Sequence, residues 1–132
     1  MCTEKAFAVD RHNIDLGKAG EKLAGKFLKK LGYRILFKNY RFPQGEIDIV
    51  ARDKDTVCFI EVKTRTNKEF GFPQESVTRQ KQKKLQLLAT AFLKEKNLLD
   101  KRARFDVVSV LLVPGSLAPE IEVFRNAFTS EE

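Results

Sequence analysis

The stretch that decides the fold is Gly45–Arg65, which reads Gly-Glu-Ile-Asp-Ile-Val-Ala-Arg (45–52), Asp-Lys-Asp-Thr (53–56) and Val-Cys-Phe-Ile-Glu-Val-Lys-Thr-Arg (57–65). Two runs rich in β-branched and aromatic residues flank a polar segment that suits a tight turn. The pattern predicts a β-hairpin in which Asp53 pairs with Thr56, Arg52 with Val57 and Val50 with Phe59.

Continuing that register places Asp48 opposite Glu61 and Glu46 opposite Lys63. Alternate residues of a strand share a face, so the three acids and the lysine lie on one face, and the other is covered by Ile47, Ile49, Cys58, Ile60 and Val62. Asp48 and Glu61, with Cβ atoms ~5 Å apart, cannot both stay ionised cheaply without a counter-charge. A hard divalent cation would supply one. A salt-bridge cluster with Lys63 on an exposed sheet face is the alternative.

The length and composition of the chain predict one compact domain. Its 132 residues are 42% hydrophobic and include 11 Phe, enough for a single core. We expect one domain over residues 1–132, with a loose N-terminus over about 1–12 and a frayed tail over 129–132. No apolar run approaches the ~20 residues of a membrane span, and the first 15 residues contain no signal-peptide core. These features predict a soluble, cytoplasmic protein.

The positive charge is concentrated in one region. Residues 76–104 carry nine lysines and arginines against two acids, which accounts for the whole formal net charge of +7. Such a region indicates a polyanionic partner, nucleic acid first, because each neutralised phosphate releases condensed counterions. A solvated helix face kept soluble by lysine is the other interpretation. Charge alone does not decide between them.

The remaining segments predict a helix on each side of the hairpin and three further strands. The predicted order is α-β-β-β-α-β-β, an α/β fold with a mixed β-sheet flanked by helices. The segments are a helix from Asn13 or Asp15 to Leu31, a strand over Tyr33–Tyr40, a loop over Thr64–Pro73, a helix from Ser76 or Thr78 to about Lys96, and strands over Arg104–Val113 and Glu120–Arg125.

Two charged residues lie on or beside the apolar stripes of these helices. Glu21 is at the edge of the first stripe, where its carboxylate can reach over the element that the helix packs on. Lys81 is within the second stripe, where an unpaired buried charge would be costly. We therefore expect this end of the second helix to lie over an acidic or phosphate-binding cavity. The alternative is that the Lys81 side chain extends past the sheet edge into solvent.

The residue types narrow the possible chemistry. The sequence offers no Ser, His or Cys arrangement for nucleophilic catalysis, no phosphate-binding Gly-rich loop and no zinc-ligand spacing. Metal-assisted phosphodiester hydrolysis is the enzymatic interpretation that remains. In it, Lys63 could orient or deprotonate the attacking water, or stabilise charge in the transition state.

Asp48 followed by Glu61-Val62-Lys63 resembles the PD-(D/E)xK nuclease signature of the restriction-endonuclease-like superfamily. A wider pattern resembles the UPF0102 (YraN-like) family over residues 14–128, a family similar in turn to archaeal Holliday-junction resolvases. The pattern comprises Gly20-Glu21, Gly32-Tyr33, Ile35-Leu36, Asn39, Arg41, Gly45–Ala51, Phe59–Arg65, Val77-Thr78, Lys81-Gln82, Arg104–Val108 and Asn126–Phe128.

This resemblance implies roles for individual residues. Asp48 and Glu61 would be metal ligands, Lys63 the catalytic lysine, and Glu21 a helix-borne acid that completes the site. Glu46 belongs to the pattern as an additional acid without an assigned role. Ile47 stands where the superfamily label has proline, a departure that leaves the proposed ligands intact.

The function predicted from these observations is a Mg²⁺- or Mn²⁺-dependent DNA endonuclease, with branched or structured DNA among its candidate substrates. Arg65, Lys81 and Gln82 would hold flanking phosphates, contacts that position DNA without reading its sequence. The alternatives are a non-catalytic nucleic-acid-binding module of the same fold and an adaptor that binds a protein on its sheet face. A homodimer would suit an enzyme that cuts both strands of a junction, although no sequence feature requires one.

Overall fold

A five-stranded sheet lies between two helices in a computed structural model that describes residues 2–67 and 77–128, with side chains from Leu16 onward. The mixed α/β class and the predicted order of elements are confirmed. The elements are α1 (Cys2–Lys30), β1 (Arg34–Phe42), β2 (Gly45–Asp53), β3 (Thr56–Arg65), α2 (Arg79–Glu95), β4 (Arg102–Leu111) and β5 (Glu120–Phe128).

The strands are ordered β1-β2-β3-β4-β5 across the sheet. β3 and β4 are parallel, and every other neighbouring pair is antiparallel. Antiparallel neighbours can be joined by short turns, whereas a parallel pair needs a crossover. The chain segment that contains α2 supplies that crossover between β3 and β4.

The central hairpin has the predicted register near its turn. Asp53 pairs with Thr56, and the ladder continues as far as Ile49 opposite Ile60. The predicted pairs of Asp48 with Glu61 and Glu46 with Lys63 are not part of the ladder. At this point the Val62 N–H donates to Asp48 Oδ2 over 2.9 Å, so a carboxylate takes the place of a backbone acceptor.

The face predicted for Ile47 is wrong. Ile47 packs in the core on the α2 side of the sheet with Val50, whereas Ile49 packs in the core on the α1 side with Ile60. The two-residue alternation is therefore interrupted between Ile47 and Ile49. Asp48 lies at this interruption. On the neighbouring strand β1, Tyr40 pairs with Ile47 and Lys38 pairs with Ile49. Asn39 lies between these two partners and has a φ of +52°.

The first helix begins at Cys2, whereas the sequence predicted its start at Asn13 or Asp15. Residues 2–12 contain neither glycine nor proline, the residues most unfavourable to a helix interior. The predicted cap at Thr78 is confirmed, because its Oγ1 accepts the Lys81 N–H over 3.2 Å. Neither described helix combines the length and the apolar character of a membrane span.

The other boundaries differ from the predictions by a few residues. β3 extends through Thr64 and Arg65, which were predicted to begin the loop. β4 lies two residues earlier than predicted, and β5 continues to Phe128. The rest of the predicted loop over 68–73, the alternative cap at Ser76 and the tail over 129–132 lie outside the described residues.

A buried carboxylate joins β4 and β5 to the end of α1. Asp106 is 1% exposed and accepts from Tyr33 Oη over 2.9 Å and from the Asn126 N–H over 2.9 Å. Arg104 Nε donates to both Asp106 oxygens, over 3.0 and 3.1 Å. A buried charge is tolerated when it is paired and hydrogen-bonded, and these contacts meet that condition. Tyr33, Arg104 and Asn126, three residues of the pattern that resembles the UPF0102 family, thus all donate to Asp106.

Gly20 allows α1 to approach β3. A Cβ atom added at Gly20 would overlap the side chain of Thr64, lying 2.9 Å from its Cβ and 3.0 Å from its Cγ2. The atoms that would be displaced belong to a short β-branched side chain on a strand, which has little freedom to move. The absence of a side chain at residue 20 therefore sets the position of the neighbouring Glu21 over the sheet.

Gly20→Ala is expected to lower the free energy of unfolding by about 1–3 kcal/mol, because it overpacks the contact between α1 and β3. Gly17→Ala is the matched control, since a Cβ there meets nothing within 4 Å. It should be neutral or stabilising by up to about 1 kcal/mol, the usual gain from replacing a helical glycine by alanine. Urea unfolding of both variants is the measurement. Equal effects would contradict the close contact.

Candidate metal centre

Three carboxylates from α1 and β2 converge at one point on the sheet. One carboxylate oxygen from each of Glu21, Glu46 and Asp48 lies within 4.8 Å of the other two. Glu21 comes from the helix, and the other two come from the strand whose alternation is interrupted at Asp48. All three offer oxygen ligands, which hard divalent cations such as Mg²⁺ and Mn²⁺ prefer. The donor set therefore fits such an ion.

Asp48 is the most strongly perturbed of the three. Burial, followed by the nearby charge of Glu61, raises the pKa of this carboxyl from 3.8 to about 7, and the hydrogen bond from the Val62 N–H opposes the rise. Glu21 and Glu46 add smaller repulsions in the same direction. A cation at this position would remove the electrostatic part of that cost.

Glu21 is held in the cluster by a residue on β1. The side chain of Asn39 donates a hydrogen bond to its carboxylate, while burial and the charges of Glu46 and Glu61 act together to raise the pKa of Glu21. The backbone of Asn39 is in the left-handed region, with a φ of +52°. Asparagine adopts this conformation more readily than most residues. An asparagine inside a predicted strand was the available sequence signal, but no role was assigned to it.

Glu46 is the most exposed member of the cluster, and it already has a cationic partner. Arg41 Nε lies 3.2 Å from Glu46 Oε2, across the pairing of β1 with β2. The Arg41 side chain is 81% exposed, so solvent screens this ion pair and its contribution to stability is small. The pair leaves Glu46 able to move toward a cation at low cost.

Glu61 lies beside the cluster rather than within it. Its Oε1 is 3.5 Å from Lys63 Nζ, and both side chains are about one fifth exposed. The family resemblance implies Asp48 and Glu61 as metal ligands, whereas the carboxylate oxygens that converge most closely belong to Glu21, Glu46 and Asp48. Glu61 nevertheless lines the same cavity as Asp48 and Glu46, a space of about 220 Å³ whose wall also includes Lys81 and Lys84.

Lys81 reaches this cavity from the first turn of α2. Its amino group lies next to that of Lys63, and this contact and the like charge lower the pKa of Lys81. The two lysines therefore place two amino groups next to the carboxylates.

The other two predicted phosphate ligands are Arg65, on β3 with Lys63, and Gln82, on α2 with Lys81. Arg65 is half-buried at the end of β3, where its carbonyl accepts the Leu112 N–H over 2.8 Å. Gln82 Nε2 donates to the Val77 carbonyl over 3.0 Å. This contact joins the first turn of α2 to the residue before its cap, Thr78. Lys84 was not among the predicted ligands, although it lines the cavity beside Lys81.

The chain is similar to a described protein family. The model of the uncharacterised protein family UPF0102 matches residues 20–110. A UPF0102 protein of Geobacter sulfurreducens is 47% identical over 89% of this chain and 91% of its own length. One from Geotalea daltonii is 47% identical over 88% and 91%, and one from Caldicellulosiruptor saccharolyticus is 41% identical over 86% and 97%. This chain therefore belongs to the UPF0102 family.

Proposed function

We propose that the protein is a divalent-metal-dependent DNA endonuclease that hydrolyses phosphodiester bonds. The observation that carries the proposal is the convergence of the Glu21, Glu46 and Asp48 carboxylates beside the Glu61–Lys63 pair. Acidic groups alone are common on protein surfaces. Here Asp48 is a half-buried acid with a strongly raised pKa, an arrangement that is frequent at functional sites.

Asp48, Glu21 and Glu46 would hold Mg²⁺ or Mn²⁺, with Glu61 completing the site through a small side-chain movement. The ion would supply Lewis-acid stabilisation of phosphate charge and a water of lowered pKa. The protein's own contribution is to fix these acids on two rigid elements. The hydrogen bonds from Val62 to Asp48 and from Asn39 to Glu21 set their orientation.

The lysines supply the remaining functions. Lys63, held by Glu61 at 3.5 Å, aligns the attacking water. Lys81 and Lys84 contact the phosphate from the α2 side of the cavity. Arg65 and Gln82 are proposed to hold flanking phosphates, Gln82 after release of its bond to Val77. Such contacts favour DNA in general, and they leave branched or structured DNA among the candidate substrates.

Incubation of the purified protein with linear, single-stranded, flapped and four-way-junction DNA, in Mg²⁺, Mn²⁺ or EDTA, tests the proposal. Cleavage should require metal and should be lost in Glu61→Ala and Lys63→Ala. Cleavage that survives both substitutions would contradict the site. Binding without cleavage of any substrate would favour a non-catalytic nucleic-acid-binding module, and binding that is insensitive to salt would favour a protein adaptor. Light scattering of the free and DNA-bound protein tests the proposed homodimer.

Metal affinity is expected to rise with pH up to about pH 7. Because burial and Glu61 raise the pKa of Asp48 to about 7, a metal ion must displace a proton below that pH. The apparent Mn²⁺ affinity should then fall about tenfold for each pH unit below 7. Titration calorimetry with Mn²⁺ at pH 5.5, 6.5 and 8 measures it. An affinity that does not change between pH 5.5 and 8 would contradict this assignment of Asp48.

In the metal-free protein, rising pH lowers the contribution of Asp48 to stability. Its pKa is raised on folding, so the unfolded chain releases the Asp48 proton first as the pH rises from about 4 to about 7. The contribution of Asp48 to stability is therefore lost over that interval when no metal is present. Added Mn²⁺ should raise the melting temperature more at pH 8 than at pH 5.5.

A further inference from the structure

A second and larger cavity lies at the other end of the central hairpin. Its volume is about 960 Å³, and its wall includes the β2–β3 turn, the start of β4 and the side of β5 at Arg125. Along β3, the turn residue Thr56 lies five positions from Glu61, which corresponds to about 16 Å. The cavity is thus separate from the candidate metal centre, and none of the predicted site residues line it.

The cavity has an excess of positive charge. Three acids line it, namely Asp53, Asp55 and Asp100, and Arg104 already neutralises Asp53 through an ion pair of 2.8 Å. The cationic residues in the wall outnumber them: Lys54, Lys101, Arg102, Arg104 and Arg125. A concave, positively charged wall attracts anions because it focuses the local electrostatic field.

Arg104 is fixed before any ligand arrives. Its Nη2 donates to Asp53 Oδ2 over 2.8 Å and to Tyr33 Oη over 2.9 Å, and its Nε donates to Asp106. Its side chain is 20% exposed. These contacts use Nε and Nη2 and hold the planar guanidinium in one orientation. A preorganised guanidinium binds an anion with little loss of side-chain entropy.

Arg125 is brought next to Arg104 by the same tyrosine. Arg125 Nε donates to Tyr33 Oη over 2.9 Å, and the two guanidinium carbons lie 5.3 and 5.7 Å from the Tyr33 ring centroid. Their like charges repel each other. Among the described residues no carboxylate forms a salt bridge with Arg125. In the described part of the chain, Asp106 is thus paired with Arg104, whereas the charge of Arg125 has no carboxylate partner at ion-pair distance.

We propose that this cavity binds a phosphate group, with Arg104 and Arg125 as its principal ligands and Lys54, Lys101 and Arg102 contributing charge around them. Arg125, whose Nε donates to Tyr33, can offer its two terminal nitrogens to phosphate oxygens in two parallel hydrogen bonds, and Arg104 can add hydrogen bonds from Nη1. Leu31, 45% exposed, adds an apolar surface to the same cavity. The phosphate can belong to a free nucleotide or to the backbone of a DNA strand. The site does not depend on the proposed nuclease activity.

The test uses the full chain in EDTA, so that cleavage cannot contribute to the measurement. Calorimetry with inorganic phosphate and with dAMP, and fluorescence anisotropy with a duplex oligonucleotide, give the wild-type affinities. Arg125→Gln is expected to weaken binding of at least one probe by about tenfold or more. Arg34→Gln is the matched control, because Arg34 is exposed near the same end of the sheet and does not line the cavity. It should change binding by about twofold at most.

Arg125→Lys and Arg34→Lys form a second matched pair that keeps the net charge, in case Arg125→Gln folds poorly. Arg125→Lys retains a point charge but loses the paired hydrogen bonds, so affinity should fall only in that variant. Loss of phosphate and dAMP binding identifies a free-nucleotide site, and loss restricted to duplex DNA identifies a backbone contact. The proposal is overturned if the wild type binds none of the probes, or if the paired variants at 125 and 34 weaken binding equally.

Discussion

Asp48→Asn is expected to reduce metal-dependent cleavage by at least about 10²–10³-fold and, at pH 8 without metal, to raise the melting temperature. Cleavage falls because a neutral amide is a weak ligand for a hard cation, and losses of this size follow removal of one group that stabilises transition-state charge. Stability rises because the substitution removes a half-buried charge beside Glu61. The amide oxygen can still accept the Val62 N–H, as Asp48 Oδ2 does.

The opposite signs of the two effects make this prediction specific. A purely structural aspartate would lose activity and stability together, whereas a residue kept for metal binding loses activity and gains metal-free stability. Glu122→Gln removes one negative charge from an exposed position on β5, and it should change neither property. Initial cleavage rates and thermal melts of the three proteins, in Mn²⁺ and in EDTA, are the measurements. A destabilised Asp48→Asn protein would contradict the assignment.

The hairpin and its register near the turn could be predicted because short-range patterning determines them. The alternation of apolar residues and the four-residue break specify which residues pair from Asp53 back to Ile49. The order of elements followed from the same kind of pattern. The position of Lys81 within an apolar helix stripe likewise predicted a contact with an acidic cavity. In the structure, Lys81 lines the cavity whose wall includes Asp48 and Glu61.

The sequence could not predict the interruption at Asp48, because it depends on tertiary contacts. A strand that alternates regularly would put Ile47 and Ile49 on one face, yet they pack in different cores. The left-handed backbone of Asn39 on the neighbouring strand and the Val62 N–H bond accompany this change. Glu21 comes from a different part of the chain, so only the folded structure brings its oxygen within 4.8 Å of those of Glu46 and Asp48.

The folded structure also separates two kinds of residue within the family pattern. Asp48, Glu61 and Lys63 surround the candidate metal centre, whereas Tyr33, Arg104, Asp106 and Asn126 join strands at the other end of the sheet. From sequence alone, both groups are simply polar residues near the ends of apolar runs. A residue in the pattern can therefore be required for folding and have no direct part in chemistry.

Asp106→Asn is expected to lower the free energy of unfolding by about 3 kcal/mol, the lower end of the range for removing one partner of a buried ion pair. The carboxylate is 1% exposed and accepts from Tyr33, Arg104 and Asn126. A neutral amide cannot compensate the Arg104 charge, and its NH₂ group would face donors instead of accepting from them. Arg104 keeps its ion pair with Asp53, and that contact limits the loss. The melting temperature should fall by roughly 10 °C.

Asp100→Asn is the matched control for Asp106→Asn, because it makes the same chemical change at an exposed position. It should alter stability by about 0.5 kcal/mol or less, as substitutions on a protein surface usually do. Tyr33→Phe should fall between the two at about 1–2 kcal/mol, since it deletes a neutral hydroxyl but leaves the buried ion pair. Chemical unfolding of all three variants gives this ranking. If Asp106→Asn and Asp100→Asn had the same effect, the buried network would not be what holds β4, β5 and the end of α1 together.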